Sequence, residues 1–240
     1  MLEVREIEKA YQRKTVLDRV SFTLSPGQCL GVAGHNGSGK STLLSIIARI
    51  LPADKGDVFF DGVNLNQNRR FASSILGYAP QEDSLLDDLT VKETLEFWQR
   101  VYGLPANEVF SPSSPAVMLG LDQTQKKRIA GLSGGTRKRV SIAIALLSKP
   151  KLLLLDEALS SLDRHYKLIL RDYIAAFCRE GGCVLYCGHD IAELAGLCDR
   201  ILVLRDGSKV FDDRADAFPA DGDELDKLLN PAAVHSRGVI

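Results

Sequence analysis

The sequence predicts an α/β domain with a largely parallel sheet, and three observations carry that prediction. Short apolar runs alternate along the chain with stretches whose apolar residues fall at helical spacing. Several runs, Cys29-Leu-Gly-Val-Ala33 and Leu152-Leu-Leu-Leu155 among them, hold no polar residue, as a strand buried on both faces requires. A glycine-rich turn then joins the first of these runs to an apolar-periodic helix, Leu43–Ile50.

The elements follow in order. Val20–Leu24 and Asp57–Phe60 read as early strands, antiparallel elements near the N-terminus, with Pro26-Gly27 turning the chain between them. Cys29–Ala33 is the first buried strand, and Ile75–Tyr78 is strand-like. Residues 86 to 130 break the alternation and read as a mostly helical insertion. Within it Val91, Leu95, Trp98 and Val101 or Tyr102 recur at helical spacing, and Thr90 with Glu93 forms a capping-box pattern at the start. Phe97, Trp98 and Tyr102 make this helix rich in aromatics, and Lys92 and Gln99 are placed on its exposed face. A Pro/Ser-rich loop follows at 105 to 117. Ser133-Gly134-Gly135 opens a helix through Val140–Leu147. Leu152–Leu155, Cys183–Tyr186 and Ile201–Leu204 are three more buried strands. Residues 1 to 240 read as one domain, with a tail after about residue 231 expected to be poorly ordered.

Composition bounds the partners. With 45% hydrophobic residues and a net charge of −1, the chain has ample core material and no bias towards nucleic acid or an anionic membrane. The basic clusters Lys126–Arg128 and Arg137–Arg139 read as solvated helix faces. No segment approaches the ~18 apolar residues of a membrane-spanning helix, and the charged start lacks the apolar stretch of a secretory signal. Five cysteines, an odd number without a CxxC pair, read as buried, reduced thiols.

The glycine-rich turn carries chemistry. Gly34, His35, Asn36, Gly37, Ser38, Gly39, Lys40 and Ser41, followed by Thr42, match G-x-x-x-x-G-K-[ST] between a strand and a helix, which makes this a P-loop NTPase core. Glycines let backbone N–H groups wrap phosphates, Lys40 reaches the β/γ oxygens, and Ser41 can ligate Mg²⁺. A dinucleotide-type G-x-G-x-x-G reading fails, because Thr42 occupies the third glycine position. Asp156 ends the four-leucine strand, where ligands gather in open α/β sheets, and suits the metal-holding role. Glu157 beside it is the candidate for positioning and polarising the attacking water. His189 lies beyond the carboxyl end of Cys183–Tyr186 on the same rim. Gln81 follows Ile75–Tyr78 and can reach Mg²⁺ or water. Ser133 with Gly134 and Gly135 forms a second bare, positively polarised helix start, a second phosphate cradle in one chain.

In order and spacing these motifs resemble the nucleotide-binding subunit of an ATP-binding-cassette (ABC) transporter, from residue 2 to about 215. They are the P-loop GHNGSGKST, the glutamine loop APQED, the signature LSGGT, the acidic strand LLLLDE, SSLD, and the histidine switch GHD. The resemblance implies an ATPase with ATP and Mg²⁺ as cofactors, and Tyr11 stacked on adenine. It implies that two subunits pair head to tail, a copy or a related chain serving as partner. Ser133, Gly134 and Gly135 would then meet the γ-phosphate of ATP held by the other subunit, with Asp163 at the same interface. It further implies a separate transmembrane permease subunit, no nucleic acid, and a cytoplasmic place on the inner face of the cell membrane through that permease. Leu89–Leu104 is similar to subunits that drive exporters of drugs, lipids or polysaccharides. A soluble assembly ATPase, as in iron–sulfur cluster biogenesis, is the alternative. Two departures stand out: Thr136 replaces the usual glutamine of the signature, and Ala158 replaces a common proline. Neither removes a catalytic atom.

Overall fold

Alternation along the buried strands divides the protein into two cores. In the computed structural model, which describes residues 1–12, 14–105 and 109–218, Leu153, Leu155, Val184, Tyr186, Ile201 and Val203 face one core. Their neighbours Leu152, Leu154, Cys183, Leu185, Leu202 and Leu204 face the other. Successive side chains of a strand point to opposite faces, so a run apolar at every position must be covered on both.

The strands, in chain order, are β1 (Leu2–Tyr11), β2 (Lys14–Leu24), β3 (Cys29–Ala33), β4 (Lys55–Phe60), β5 (Val63–Asn64), β6 (Leu76–Ala79), β7 (Leu152–Asp156), β8 (Cys183–Cys187), β9 (Arg200–Arg205) and β10 (Ser208–Arg214). The helices are α1 (Lys40–Ile47), α2 (Arg69–Ile75), α3 (Val91–Val101), α4 (Pro115–Met118), α5 (Gly134–Leu147), α6 (Arg164–Arg179) and α7 (Ile191–Leu197). Among the described residues the main sheet has the order β10-β9-β3-β8-β7-β6, parallel except for the antiparallel edge strand β10. A second, antiparallel sheet has the order β2-β1-β4-β5. The carboxyl ends of β3, β6, β7 and β8 thus share one rim, each followed by a motif singled out above.

The two early strands expected at 20–24 and 57–60 belong to one sheet but do not touch; β1 lies between them. β1 escapes a period-two reading because Glu6 sits at φ 47 and the pairing register shifts between Val4 and Ile7. Its buried positions therefore run Leu2, Val4, Ile7, Lys9 rather than in strict alternation. The helix expected at 43–50 lies three residues earlier, and Ile50 is 68% exposed.

The insertion is less helical than expected. Beyond α3 it holds the short α4 and 3₁₀ turns at 122–124 and 129–131, because Gly103, Gly120 and the Ser/Pro-rich stretch interrupt the helical pattern. Part of the expected loop, residues 106–108, lies outside the described residues, as does the tail after 231. The capping box is formed: Thr90 Oγ1 accepts from the Glu93 N–H at 3.2 Å, and Glu93 Oε2 accepts from the Thr90 N–H at 2.8 Å. Val91 and Leu95 are buried as predicted, but so is Gln99, which leaves Lys92 and Phe97 on the exposed face. All five cysteines are buried and unbridged. No helix among the described residues is long and apolar enough to cross a membrane.

Candidate active site

The loop between β3 and α1 is shaped by contacts that exclude a side chain. Gly39 caps α1 at φ 106, and a Cβ there would lie 2.7 Å from the Val16 carbonyl oxygen and from Leu17 Cδ2. A Cβ on Gly34 would run into the Leu204 carbonyl. α1 has no side-chain cap and no acidic residue in its first turn, so its leading N–H groups face the loop with no protein anion competing for them. Lys40 is buried, and its ammonium donates to the carbonyls of Gly34 at 2.8 Å and His35 at 3.1 Å. These bonds hold the cation over the loop and leave a third donor for a phosphate oxygen.

A cavity of about 700 Å³ opens above this loop. Tyr11, Lys14, Val16, Asn36, Gly37, Gly39, Lys40, Ser41, Thr42, Gln81, Glu157 and His189 line it. The remaining loop residues support it from outside. Gly34 packs beneath Leu204, and Ser38 is fully buried. His35 donates to the Asn36 carbonyl at 2.7 Å and faces Asp206 at 3.5 Å.

On the rim, four side chains from four segments form one chain of contacts. Ser41 Oγ donates to Gln81 Oε1 at 3.5 Å, Gln81 Nε2 donates to Glu157 Oε2 at 3.4 Å, and Glu157 Oε1 faces His189 Nδ1 at 3.6 Å. Glu157 adopts φ 48, a conformation costing a side-chain-bearing residue roughly 1 kcal/mol or more. Its N–H donates to the Cys187 carbonyl at 2.9 Å, and its carbonyl accepts from Ser160 Oγ at 2.7 Å, which fixes the turn. Asp156 beneath it is 1% exposed, and neither carboxylate oxygen has a hydrogen-bond partner among the described residues. Burial pushes its pKa up and Glu157 adds to the shift, against the opposing influence of Ser41, Lys138 and Lys40. A carboxylate buried in this way is costly without a counter-charge. With the Ser41 hydroxyl and the Gln81 amide oxygen it supplies the hard oxygen donors that suit Mg²⁺.

The second cradle is built differently. Ser133 caps α5, its Oγ accepting from the Thr136 N–H at 3.3 Å. Thr136 is turned inward: its hydroxyl lies 2.9 Å from Ser133 Oγ and accepts from Arg139 Nη2 at 3.0 Å. Nothing lies within 4 Å of a Cβ built on Gly134, whereas one on Gly135 would approach the Ser161 carbonyl to 2.7 Å. Asp163 caps α6, accepting from the Tyr166 N–H at 3.1 Å. None of Ser133, Gly134, Gly135 and Asp163 lines the cavity.

The basic cluster Arg137–Arg139 is not a solvated face. Arg137 pairs with Asp83 at 2.7 Å and Asp87 at 2.6 Å, and Arg139 lies 4.0 Å over the Tyr166 ring. Lys138 is 4% exposed and donates to three main-chain carbonyls. Lys14 and Val16, which no sequence motif marks, also line the cavity because the β1–β2 hairpin pairs Lys14 with Tyr11. That proximity to Tyr11 was the signal available.

Comparison with known proteins agrees with this geometry. The family described as ABC transporter matches residues 17–160. The linearmycin resistance ATP-binding protein of Bacillus subtilis is 34% identical over 211 residues, covering 88% of this chain and 68% of the relative. The Nod factor export ATP-binding protein I of Sinorhizobium fredii is 33% identical over 218 residues, covering 90% of this chain and 64% of the relative. The chain thus spans roughly two thirds of the length of these relatives. Among solved structures, an ATP-binding subunit of an ABC transporter matches with a TM-score of 0.82 at 24% identity, over 100% of this chain and 95% of that one. An ATP-binding cassette solved as a post-hydrolysis dimer with ADP and Pi matches with a TM-score of 0.80 at 24% identity, over 91% of this chain and 100% of that one. At that identity the two structures establish the shared fold. The P-loop cavity, its acidic rim and these relatives lead to one conclusion: the chain belongs to the ABC transporter family, as an ATP-binding subunit that hydrolyses ATP.

Proposed function

We propose that this ATPase powers an exporter, closing head to tail on a second ATP-binding subunit while docked on a separate membrane subunit. We read residues 1 to 240 as one ATPase domain with 86–130 as its insertion. The observation that carries the site reading is the contact chain Ser41–Gln81–Glu157–His189 along one wall of the P-loop cavity. Tyr11 offers a half-exposed ring for the adenine, and Lys40 with the leading N–H groups of α1 holds the phosphates. Ser41, Gln81 and Asp156 would hold Mg²⁺, which when bound supplies positive charge against the phosphate oxygens. Glu157 accepts a hydrogen bond from the water that attacks the γ-phosphorus, the bond to the β-phosphate oxygen breaks, and ADP and phosphate leave. His189 fixes the Glu157 carboxylate from the far side.

Export is the direction named for the Sinorhizobium fredii relative, and the linearmycin resistance named for the Bacillus subtilis one is compatible with efflux. A second groove favours docking on a membrane protein. It is lined by Ile50, Arg69, Leu76, Tyr78, Trp98 and Tyr102 among others, lies between the α1–α2 region and α3, and presents exposed apolar surface. The test is to purify the tagged chain from membranes, identify the spanning protein that accompanies it, and reconstitute both in liposomes. ATP supplied on the side of this chain should move cargo away from that side. Movement towards it, or recovery of a soluble scaffold in place of a membrane protein, would contradict the reading.

A further inference from the structure

The glutamine loop is held in place from below by a lysine that the site reading leaves without a role. Lys138 lies on α5 beneath the rim: its ammonium donates to the carbonyls of Pro80 at 2.6 Å, Gln81 at 2.9 Å and Asp156 at 3.3 Å. An ammonium has three donors, and three main-chain acceptors are present. The acceptors lie just beyond the carboxyl end of β6 and at the last residue of its parallel neighbour β7, where each delivers a candidate site residue. Next to it Arg137 grips Asp83 and Asp87, so the segment after β6 is held at both ends by one turn of α5.

We propose that Lys138 is a positioning residue for hydrolysis, fixing the backbone of Gln81 relative to Asp156 so that the Gln81 side chain spans Ser41 and Glu157. This rests on the assignment of Gln81 to the active site given above. The contacts from Gln81 to Ser41 and Glu157 are 3.5 and 3.4 Å, long enough that a small shift of the loop would lose both. Binding of ATP by the loop at 34–42 involves none of the carbonyls that Lys138 holds. Loss of the ammonium should therefore act on turnover more than on binding.

The test is a double-mutant cycle on the full chain, reading kcat and KM for ATP in Mg²⁺. Lys138→Met, close in shape but without donors, should lower kcat by about tenfold or more with KM within about twofold of wild type. Gln81→Ala should lower kcat as well, and Lys138→Met added to it should cost little more, because the two act as one unit. Lys138→Gln, which keeps two donors, should recover part of the loss. Losses that multiply in the double variant, or a rise in KM with kcat unchanged, would overturn the proposal while leaving the active site as assigned. An unchanged kcat in Gln81→Ala alone would overturn that assignment and this proposal with it. Should Lys138→Met fail to fold by thermal melting, Lys138→Gln against Gln81→Ala is read by the same criteria.

Discussion

The two glycine-bearing helix starts of this chain, at 34–42 and at 133–136, share chemistry and differ in completeness. Both present backbone N–H groups at the positive end of a helix dipole. The first is closed around its ligand space: Gly34 and Gly39 are pressed against neighbouring backbone, Lys40 arches over the loop, and Tyr11, Gln81, Glu157 and His189 complete a cavity. The second has a capping serine and, among the described residues, nothing within 4 Å of a Cβ built on Gly134. The difference teaches that the first site can hold a nucleotide with residues of one chain. On the function proposed above, the second would press on a ligand that a partner subunit carries. A third start, that of α3, sharpens the contrast, since Thr90 and Glu93 satisfy its leading N–H groups within the chain.

Substitutions at Glu157 on the cavity rim and at the helix starts themselves should separate these roles. Glu157→Gln removes the carboxylate proposed to polarise the attacking water and leaves the cradle of α1 intact. Turnover should fall by roughly 10²–10⁴-fold with ATP affinity retained, read by phosphate release and calorimetry. Lys40→Ala should fail at binding: losing charge-assisted hydrogen bonds worth about 1.5–3 kcal/mol predicts an affinity loss of about 10–100-fold. Unchanged affinity would break the contrast, since the first cradle would then bind without its cation. Thr90→Ala should lower the stability of the chain by about 1 kcal/mol with ATP affinity unchanged, because a capping box serves its own helix alone. Denaturant unfolding with a nucleotide-binding assay checks both halves.

The sequence made the first cradle legible because its chemistry is local: nine consecutive residues, a strand before and a helix after. Asp156, Glu157 and His189 were legible because each follows a buried apolar run, and such runs end at a common rim in a parallel sheet. What escaped was set by contacts distant in sequence. Lys138 and Arg137 looked like surface charge because their acceptors, Pro80, Gln81, Asp83 and Asp87, lie fifty or more residues earlier. β1 was hidden by the bulge at Glu6, and Gln99 by packing that helical spacing alone does not disclose. The close approach of Gly135 to Ser161 also gives that glycine a reason within its own chain, alongside any role towards a phosphate.

That last contact selects the decisive variant. Gly134 has nothing within 4 Å of a built Cβ and stands at the first position of α5, where a carboxylate is favourable to the helix by about 0.3–1 kcal/mol. Gly134→Asp should therefore fold normally while placing negative charge where, on the proposed head-to-tail closure, a phosphate would come. The measurement is the mass in solution, by sedimentation, of Glu157→Gln and of Glu157→Gln/Gly134→Asp with ATP, with ATP affinity measured on each. The account predicts an ATP-dependent dimer for the single variant, and for the double variant a monomer that binds ATP as tightly as before. A double variant that loses ATP binding as a folded monomer, or that dimerises as readily as the single one, would contradict it.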